Sequence, residues 1–264
     1  MIGKSVTLNN GVVMPTLGLG VWQMREGAET ENAVRAALDC GYRMIDTARL
    51  YGNERSLGRA VRASGIPREQ IFVTTKLFPT GFFDPEKAFE TSFARLDIGY
   101  IDLYLIHNPV NLLPGFRGLR TRAWHVLEKL LASGRVRAIG ISNYSIANIE
   151  EVLAAGKIVP AVNQVLFNPF AYKAALLDYC KSKNIVVQAY SPLTRAKRLN
   201  HPVIRKIADA RGRSPAQVLI RWALQHGTVV IPKSSNPVRI AANTQVFDFA
   251  LTDGEMTELD GLTA

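Results

Sequence analysis

Four side chains in the first half of the chain form a set that could transfer a proton: Asp46, Tyr51, Lys76 and His107. A tyrosine hydroxyl has a pKa of about 10, so it exchanges protons poorly at neutral pH unless its surroundings shift that pKa. A neighbouring Lys76 ammonium would lower the pKa of Tyr51, and Asp46 would hold the lysine charged and oriented. His107 could donate a hydrogen bond to a substrate oxygen. The set suits protonation of the alkoxide that forms when a hydride reduces a carbonyl group.

Each of the four residues also has a purely structural interpretation. Asp46 and Lys76 could form a plain buried ion pair, and Tyr51 could be a packed aromatic residue. His107 could be a strand-end histidine bonded to the backbone. Taken singly, the residues leave both interpretations open, and their occurrence together favours the catalytic one.

The four residues lie at or close after the ends of predicted β-strands. Short runs rich in Val, Ile and Leu occur at residues 17–20, 42–46, 71–76, 101–107, 136–142, 160–164, 185–191 and 228–234. Amphipathic helical patterns separate these runs, and several begin at a capping residue, such as Asp84 before Pro85 and Ser214 before Pro215. Strand–helix alternation through eight units predicts an α/β fold of the (β/α)8 TIM-barrel class, with residues 1–264 as a single domain.

Two further features bear on the fold class. The segment VTLNNGVVMP predicts a β-hairpin before the barrel, with Asn10 and Gly11 as its turn. A doubly wound sheet is the alternative architecture, but the segment GLGVWQ lacks the third glycine of the dinucleotide-binding fingerprint. The barrel is therefore the favoured prediction.

Active sites of such barrels lie at the carboxyl ends of the strands. Nearly every predicted strand here ends on a polar or ionisable residue. In chain order these are Asp46, Lys76, His107, Ser142 with Asn143, Gln164, Tyr190 with Ser191, and Lys233 with Ser234. This pattern predicts one continuous active-site rim.

The composition argues against several other classes of protein. The net charge is +10, but the basic residues are scattered, and neither a zinc finger nor an RNA-binding signature is present, so no nucleic-acid partner is expected. Most of these charges are expected to be solvated; the scattered basic residues include Arg117, Arg120, Arg122, Arg135, Arg137, Arg195, Lys197, Arg198, Arg205 and Lys206. No apolar stretch reaches the roughly 18 residues of a membrane span, and the first residues lack the apolar core of a signal peptide. The two cysteines form no pair motif, so a cytoplasmic protein without a metal site is expected.

Longer motifs resemble those of the aldo-keto reductase superfamily. The matching segments are DTARLYGNE (46–54), TTK (74–76), HNP (107–109), RAIGISNYS (137–145), NQ (163–164), QAYSPL (188–193), SPAQVLIRWALQ (214–225) and IPKSSNPVRIAAN (231–243). The chain is most similar to the bacterial branch that includes 2,5-diketo-gluconate and methylglyoxal reductases. This resemblance implies a barrel that binds NADPH without a Rossmann domain, and a catalytic tetrad of Asp46, Tyr51, Lys76 and His107 with Tyr51 as general acid.

The resemblance also implies the cofactor-binding residues. Ser142, Asn143 and Gln164 would hold the nicotinamide carboxamide, and Asp46 would also belong to the cofactor site. Tyr190 would stack on the nicotinamide ring, and Ser191 and Leu193 would contact the pyrophosphate. Lys233, Ser234 and Arg239 would surround the 2′-phosphate, and Asn243 would contact the adenine.

The implied substrate mouth is formed by Trp22, Phe78, His107 and Asn108. Asn108 and Phe78 stand where relatives often have tryptophan, so a small or polar carbonyl substrate is expected. Ala242 replaces an acidic residue that often lies beside the adenine, and the segment after the last predicted helix is shorter than in relatives.

The leading functional hypothesis is an NADPH-dependent aldehyde or ketone reductase that works as a monomer on a small-molecule carbonyl. The alternative, from a different class, is an NADPH-binding barrel that regulates or binds another protein with little turnover.

Overall fold

The computed structural model describes residues 3–110 and 116–263. Its β-strands are β1 (Ser5–Thr7), β2 (Val13–Pro15), β3 (Leu19–Gly20), β4 (Met44–Asp46), β5 (Phe72–Leu77), β6 (Ile101–Ile106), β7 (Val136–Ser142), β8 (Val162–Leu166), β9 (Val186–Tyr190) and β10 (Val229–Ile231). Its helices are α1 (Ala28–Asp39), α2 (Glu54–Arg62), α3 (Pro85–Leu96), α4 (Phe116–Ala132), α5 (Ile146–Ala155), α6 (Ala174–Ser182), α7 (Pro202–Arg211), α8 (Pro215–Gln225), α9 (Pro237–Ala242) and α10 (Asp253–Asp260).

Strands β3 to β10 form one parallel sheet in chain order. The sheet curves until its two edges meet, where parallel bridges join Leu17 to Val230 and Gly20 to Lys233. The Gly20 amide also donates to the Pro232 carbonyl at 3.1 Å. The eight strands therefore form a barrel with helices between them, which confirms the predicted (β/α)8 class and rules out the doubly wound sheet.

The predicted hairpin is present and lies at the amino-terminal end of the barrel. Strands β1 and β2 pair antiparallel, and Gly11 adopts φ 85° in the turn between them, a conformation that glycine adopts at little cost. Leu8 and Met14 pack against Met44 and Phe72, the first residues of β4 and β5. The hairpin thereby closes one end of the barrel, and the opposite end carries the polar strand ends.

The helix caps follow the sequence signals. The side chain of Asp84 accepts a hydrogen bond from the amide of Lys87 at the start of α3, and Ser214 forms a capping box with Gln217 at the start of α8. These contacts satisfy amides that have no partner inside the helix. None of the helices in the described ranges combines the length and apolar character that crossing a membrane requires.

Candidate active site

Lys76 is the centre of the candidate site. Strand β5 pairs with β4 so that Asp46 lies opposite Thr74. Lys76 lies two residues after Thr74 on β5 and therefore on the same face of the strand. Its ammonium lies 2.6 Å from Asp46 Oδ1, 2.8 Å from the Thr47 carbonyl and 3.4 Å from Tyr51 Oη. Both charged residues are buried, so three of the four predicted catalytic residues meet inside the barrel mouth.

The ion pair has complete hydrogen bonding despite its burial. Burial alone would lower the pKa of Lys76, but Asp46 and Tyr51 raise it. Burial raises the pKa of Asp46, although Lys76 and Gln164 act against that rise. Because Lys76 and Gln164 each donate to one carboxylate oxygen of Asp46, the ionised pair is well matched.

Tyr51 is positioned by the turn that follows β4. It ends a short 3-10 helix, and Gly52 leaves that turn with φ 72°. Burial raises the pKa of Tyr51; Lys76 lowers it, and Asp46 adds to the rise. Burial outweighs the lowering by the Lys76 ammonium that the sequence predicted, so the pKa of Tyr51 lies above its ordinary value and not below it. Tyr51 is a neutral phenol that holds its proton at physiological pH.

His107 completes the predicted tetrad. Its ring lies edge-on to Tyr51 and to Phe78, with centroid separations of 5.8 and 5.9 Å. Burial, followed by the charge of Lys76, lowers the pKa of His107 to about 3. The imidazole is therefore neutral at physiological pH, and its Nδ1 has no hydrogen-bond partner within the described residues.

A polar network continues from Asp46 across the barrel to β8 and β9. The amide nitrogen of Gln164 donates to Asp46 Oδ2 at 2.7 Å and to Gln188 Oε1 at 2.8 Å. Gln188 was not predicted as a site residue. The available signal was its position two residues before Tyr190, because alternate residues of a strand share one face.

Asn143 joins this network to His107 and Tyr190. It adopts φ 63°, and its side-chain nitrogen donates to the His107 carbonyl at 3.0 Å and to Ser142 Oγ at 3.1 Å. The Tyr190 hydroxyl donates to Asn143 Oδ1 at 2.9 Å, and the Ser142 hydroxyl donates to the Gln164 carbonyl. The structure thus brings together all the residues predicted for the nicotinamide.

The residues predicted for the rest of the cofactor lie after β9 and β10. Ser234 and Asn243 are buried, whereas Lys233 and Arg239 are exposed. Neither of these two cations forms an ion pair within the described residues, so their charges face solvent. Leu193 and Ser191 are partly buried in the loop after β9, and Ser191 adopts φ 49°.

The other three predicted substrate-binding residues follow strand ends, and one of them, Phe78, contacts the ring of His107. Phe78 is partly buried against the His107 ring, and Asn108 is exposed, with its side-chain oxygen accepting from the Val110 amide at 2.9 Å. Trp22 is also partly exposed and lies two residues beyond Gly20, whose register partner is Asp46.

Arg120 is an exception to the expectation that most of the scattered cations are solvated. It is 7% exposed, and its guanidinium donates to the Pro109 carbonyl at 2.7 Å and the Val110 carbonyl at 3.3 Å while pairing with Glu151. Because these carbonyls follow His107 directly, Arg120 ties the segment after His107 to α4 and α5. The sequence carried no signal for this contact.

Comparison with known proteins agrees with this geometry. The profile of the Aldo/keto reductase family matches residues 16–264. The chain belongs to the aldo/keto reductase family. Membership of this family supports the conclusion that the protein is an oxidoreductase that reduces carbonyl groups. The family generally uses nicotinamide cofactors.

Individual relatives match over nearly their full length. The chain is 45% identical to the uncharacterized oxidoreductase YtbE of Bacillus subtilis, covering 97% of this chain and 91% of the relative. It is 43% identical to glyoxal reductase of the same organism (98% and 92%) and 42% identical to glycerol 2-dehydrogenase (NADP(+)) of Saccharomyces cerevisiae (96% and 89%). Among solved structures, an aldo/keto reductase from Brucella melitensis superimposes with a TM-score of 0.93 at 39% identity, covering 99% of this chain and 100% of that one.

Proposed function

We propose that this aldo/keto reductase reduces small aldehydes or ketones with NADPH, and that Tyr51 supplies the proton. The observation that carries the proposal is the contact of the neutral Tyr51 hydroxyl with the Lys76 ammonium at 3.4 Å, beside a neutral His107. A proton donor needs to hold its proton before the reaction and to be stabilised after losing it. Burial meets the first requirement, and Lys76 meets the second.

The residues at the strand ends fit a nicotinamide carboxamide. Gln164 and Asn143 each use both amide hydrogens within the protein. They therefore offer oxygen acceptors, which suit the NH2 group of a carboxamide. Tyr190, whose hydroxyl is held by Asn143, offers an aromatic face to the ring.

The bound cofactor would supply the hydride. The residues of this chain handle the carbonyl oxygen and its proton. His107, neutral at physiological pH, donates a hydrogen bond that fixes the carbonyl oxygen of the substrate near Tyr51. Tyr51 gives its proton to that oxygen as an alcohol forms, and the Lys76 ammonium stabilises the tyrosinate that remains. Asp46 keeps Lys76 charged and oriented throughout.

The preference for NADPH is assigned to Lys233 and Arg239. NADPH and NADH differ only by the 2′-phosphate, so discrimination requires groups that meet this charge. Both cations are exposed and without ion-pair partners in the described part of the chain, and barrels of this class often bind phosphate at the loops after their last two strands. The NADP(+) in the name of the yeast relative supports the same preference.

The test is cofactor oxidation, followed by absorbance, with NADPH and NADH in parallel. The substrate panel is methylglyoxal, keto-sugars, aromatic aldehydes and steroids. Steady NADPH turnover with the small carbonyls is expected, because Asn108 and Phe78 leave the mouth open. Tight NADPH binding without turnover on any member would refute the proposal in favour of a regulatory, cofactor-binding subunit.

A further inference from the structure

Arg120 holds the end of the segment that leaves β6, residues 107–110. One terminal nitrogen of its guanidinium donates to the Pro109 carbonyl at 2.7 Å and to the Val110 carbonyl at 3.3 Å. The other terminal nitrogen pairs with Glu151 of α5. One planar group therefore joins the segment to two helices, α4 and α5.

This arrangement requires an arginine in particular. The Arg120 side chain is buried, and a buried cation needs both a counter-charge and hydrogen-bond acceptors. Glu151 provides the charge, and the two backbone carbonyls provide further acceptors. A guanidinium serves all three because its donors are fixed in a planar fork, whereas a lysine ammonium is a compact charge without that fork.

The backbone that Arg120 holds has an unfavourable conformation. Val110 adopts φ 49°, a region that β-branched residues rarely occupy. The side-chain oxygen of Asn108 accepts from the Val110 amide at 2.9 Å and closes the same turn. Such conformations persist only where the surroundings enforce them. Arg120 binds the carbonyls of the two peptide groups on either side of the Val110 Cα atom, so it stabilises this conformation directly.

His107, at the start of the segment, depends on its backbone for orientation. An imidazole is usually oriented by a hydrogen bond at one ring nitrogen, but Nδ1 of His107 has no partner among residues 3–110 and 116–263. The His107 amide donates to the Leu77 carbonyl at 3.0 Å, and its carbonyl accepts from Asn143 at 3.0 Å. The position of the imidazole therefore follows from the path of the backbone around it.

We propose that Arg120 is a positioning residue for carbonyl reduction. By fixing residues 108–110, it keeps the imidazole of His107 directed at the carbonyl oxygen of the substrate. The inference rests on the proposed function, in which His107 donates a hydrogen bond to that oxygen. A misplacement of about 1 Å can lower a catalytic rate about 10²-fold, so a contact on the far side of the segment is able to influence the reaction.

The first experiment measures single-turnover NADPH oxidation with methylglyoxal after saturation of the enzyme with NADPH. Arg120→Met should lower this rate about 10-fold, with the NADPH dissociation constant within about twofold of wild type. Arg120→Lys keeps the charge beside Glu151 but loses the fork, so its rate should fall only about threefold. This partial rescue by the conservative variant is expected only if the geometry of the donors matters.

Arg117→Met is the matched control. Arg117 lies on the same helix, 3.9 Å from the same Glu151, but its side chain is 74% exposed. Its replacement removes one positive charge from the same neighbourhood without touching the carbonyls after His107. The single-turnover rate should therefore change by less than about twofold.

A double-mutant cycle shows whether Arg120 acts through His107. His107→Ala removes the imidazole and should lower the rate about 10²- to 10³-fold. With no imidazole left to position, adding Arg120→Met should lower the rate by less than about twofold more. A merely structural role would lower the rate by the same factor in both backgrounds. Where methionine reduces the folded fraction, Arg120→Lys carries the same cycle, because it keeps the ion pair with Glu151.

Three outcomes would overturn the inference. They are a wild-type rate in Arg120→Met, a loss of the same size in Arg117→Met, and a further loss of about 10-fold when Arg120→Met is added to His107→Ala. A wild-type protein that binds NADPH but reduces none of the carbonyls would instead refute the proposed function, and this inference with it.

Discussion

Replacing Lys76 with methionine removes the only ammonium that contacts Asp46 within the described residues. The two groups are 2.6 Å apart and both are buried, so water cannot take over the role of the lysine. Removing one partner of a buried ion pair typically costs about 3–5 kcal/mol. Asp46 retains the hydrogen bond from Gln164 and can take up a proton, so we expect the free energy of unfolding to fall by about 3 kcal/mol, at the lower end of that range. This is a large part of the roughly 5–15 kcal/mol that stabilises a typical domain.

The loss of stability should depend on pH with a definite sign. Burial already raises the pKa of Asp46 in the presence of Lys76, and loss of the ammonium raises it further. The unfolded carboxyl group has a pKa of about 3.9, so the folded variant binds a proton first as the pH falls. The penalty of Lys76→Met should therefore be largest at neutral pH and above, and should shrink as the pH falls towards the raised pKa.

Urea unfolding at neutral and mildly acidic pH measures this penalty. The matched control is Lys206→Met, because Lys206 pairs with Glu258 at 2.8 Å on the exposed surface and should cost at most about 1 kcal/mol. The double variant Asp46→Asn with Lys76→Met removes both charges. Its loss of unfolding free energy should be about 2 kcal/mol smaller than the summed losses of the two single variants. A penalty for Lys76→Met no larger than that of the control would refute the account of a buried, ionised pair.

Three further outcomes follow from the same geometry. Arg239→Ala should weaken NADPH roughly 10- to 150-fold and NADH far less, as measured by fluorescence quenching; equal weakening would reject the 2′-phosphate assignment. Because the pKa of His107 is lowered to about 3 and that of Tyr51 is raised, neither group changes protonation near neutrality. The rate of carbonyl reduction should thus show no ionisation between about pH 5.5 and about pH 9, and a break near the ordinary histidine pKa would contradict this. Asn108→Trp should narrow the mouth and raise kcat/KM for an aromatic aldehyde relative to methylglyoxal; an unchanged ratio would remove Asn108 from the substrate site.

The arrangement of the strands could be predicted because local signals and topology agree. Nearly every apolar run ends on a polar residue, and parallel strands of a closed barrel bring those ends to one rim. Asp46 and Lys76 were predicted to meet on this basis, and they form a direct ion pair. The Asn10–Gly11 turn and the cap at Asp84 depend on neighbouring residues alone, so they too were readable from the sequence.

Features that depend on the complete three-dimensional surroundings were not predictable. The raised pKa of Tyr51 results from burial by distant segments, which outweighs the neighbouring ammonium that the motif revealed. Arg120 looks like any other cation of a basic chain, yet it is buried against the carbonyls after His107. The contact of Arg195 with Trp22 depends on the path of a loop whose conformation no local pattern specifies.

The central claim is that Tyr51 gives its proton to the carbonyl oxygen, and single-turnover kinetics of Tyr51→Phe test it most directly. The enzyme is first saturated with NADPH and then mixed with methylglyoxal, so that cofactor binding does not limit the observed rate. We expect the rate of NADPH oxidation to fall about 10²- to 10⁴-fold, with the NADPH dissociation constant within about twofold of wild type, because the variant loses only a hydroxyl group. A Tyr51→Phe variant that keeps more than half of the wild-type rate would contradict the claim.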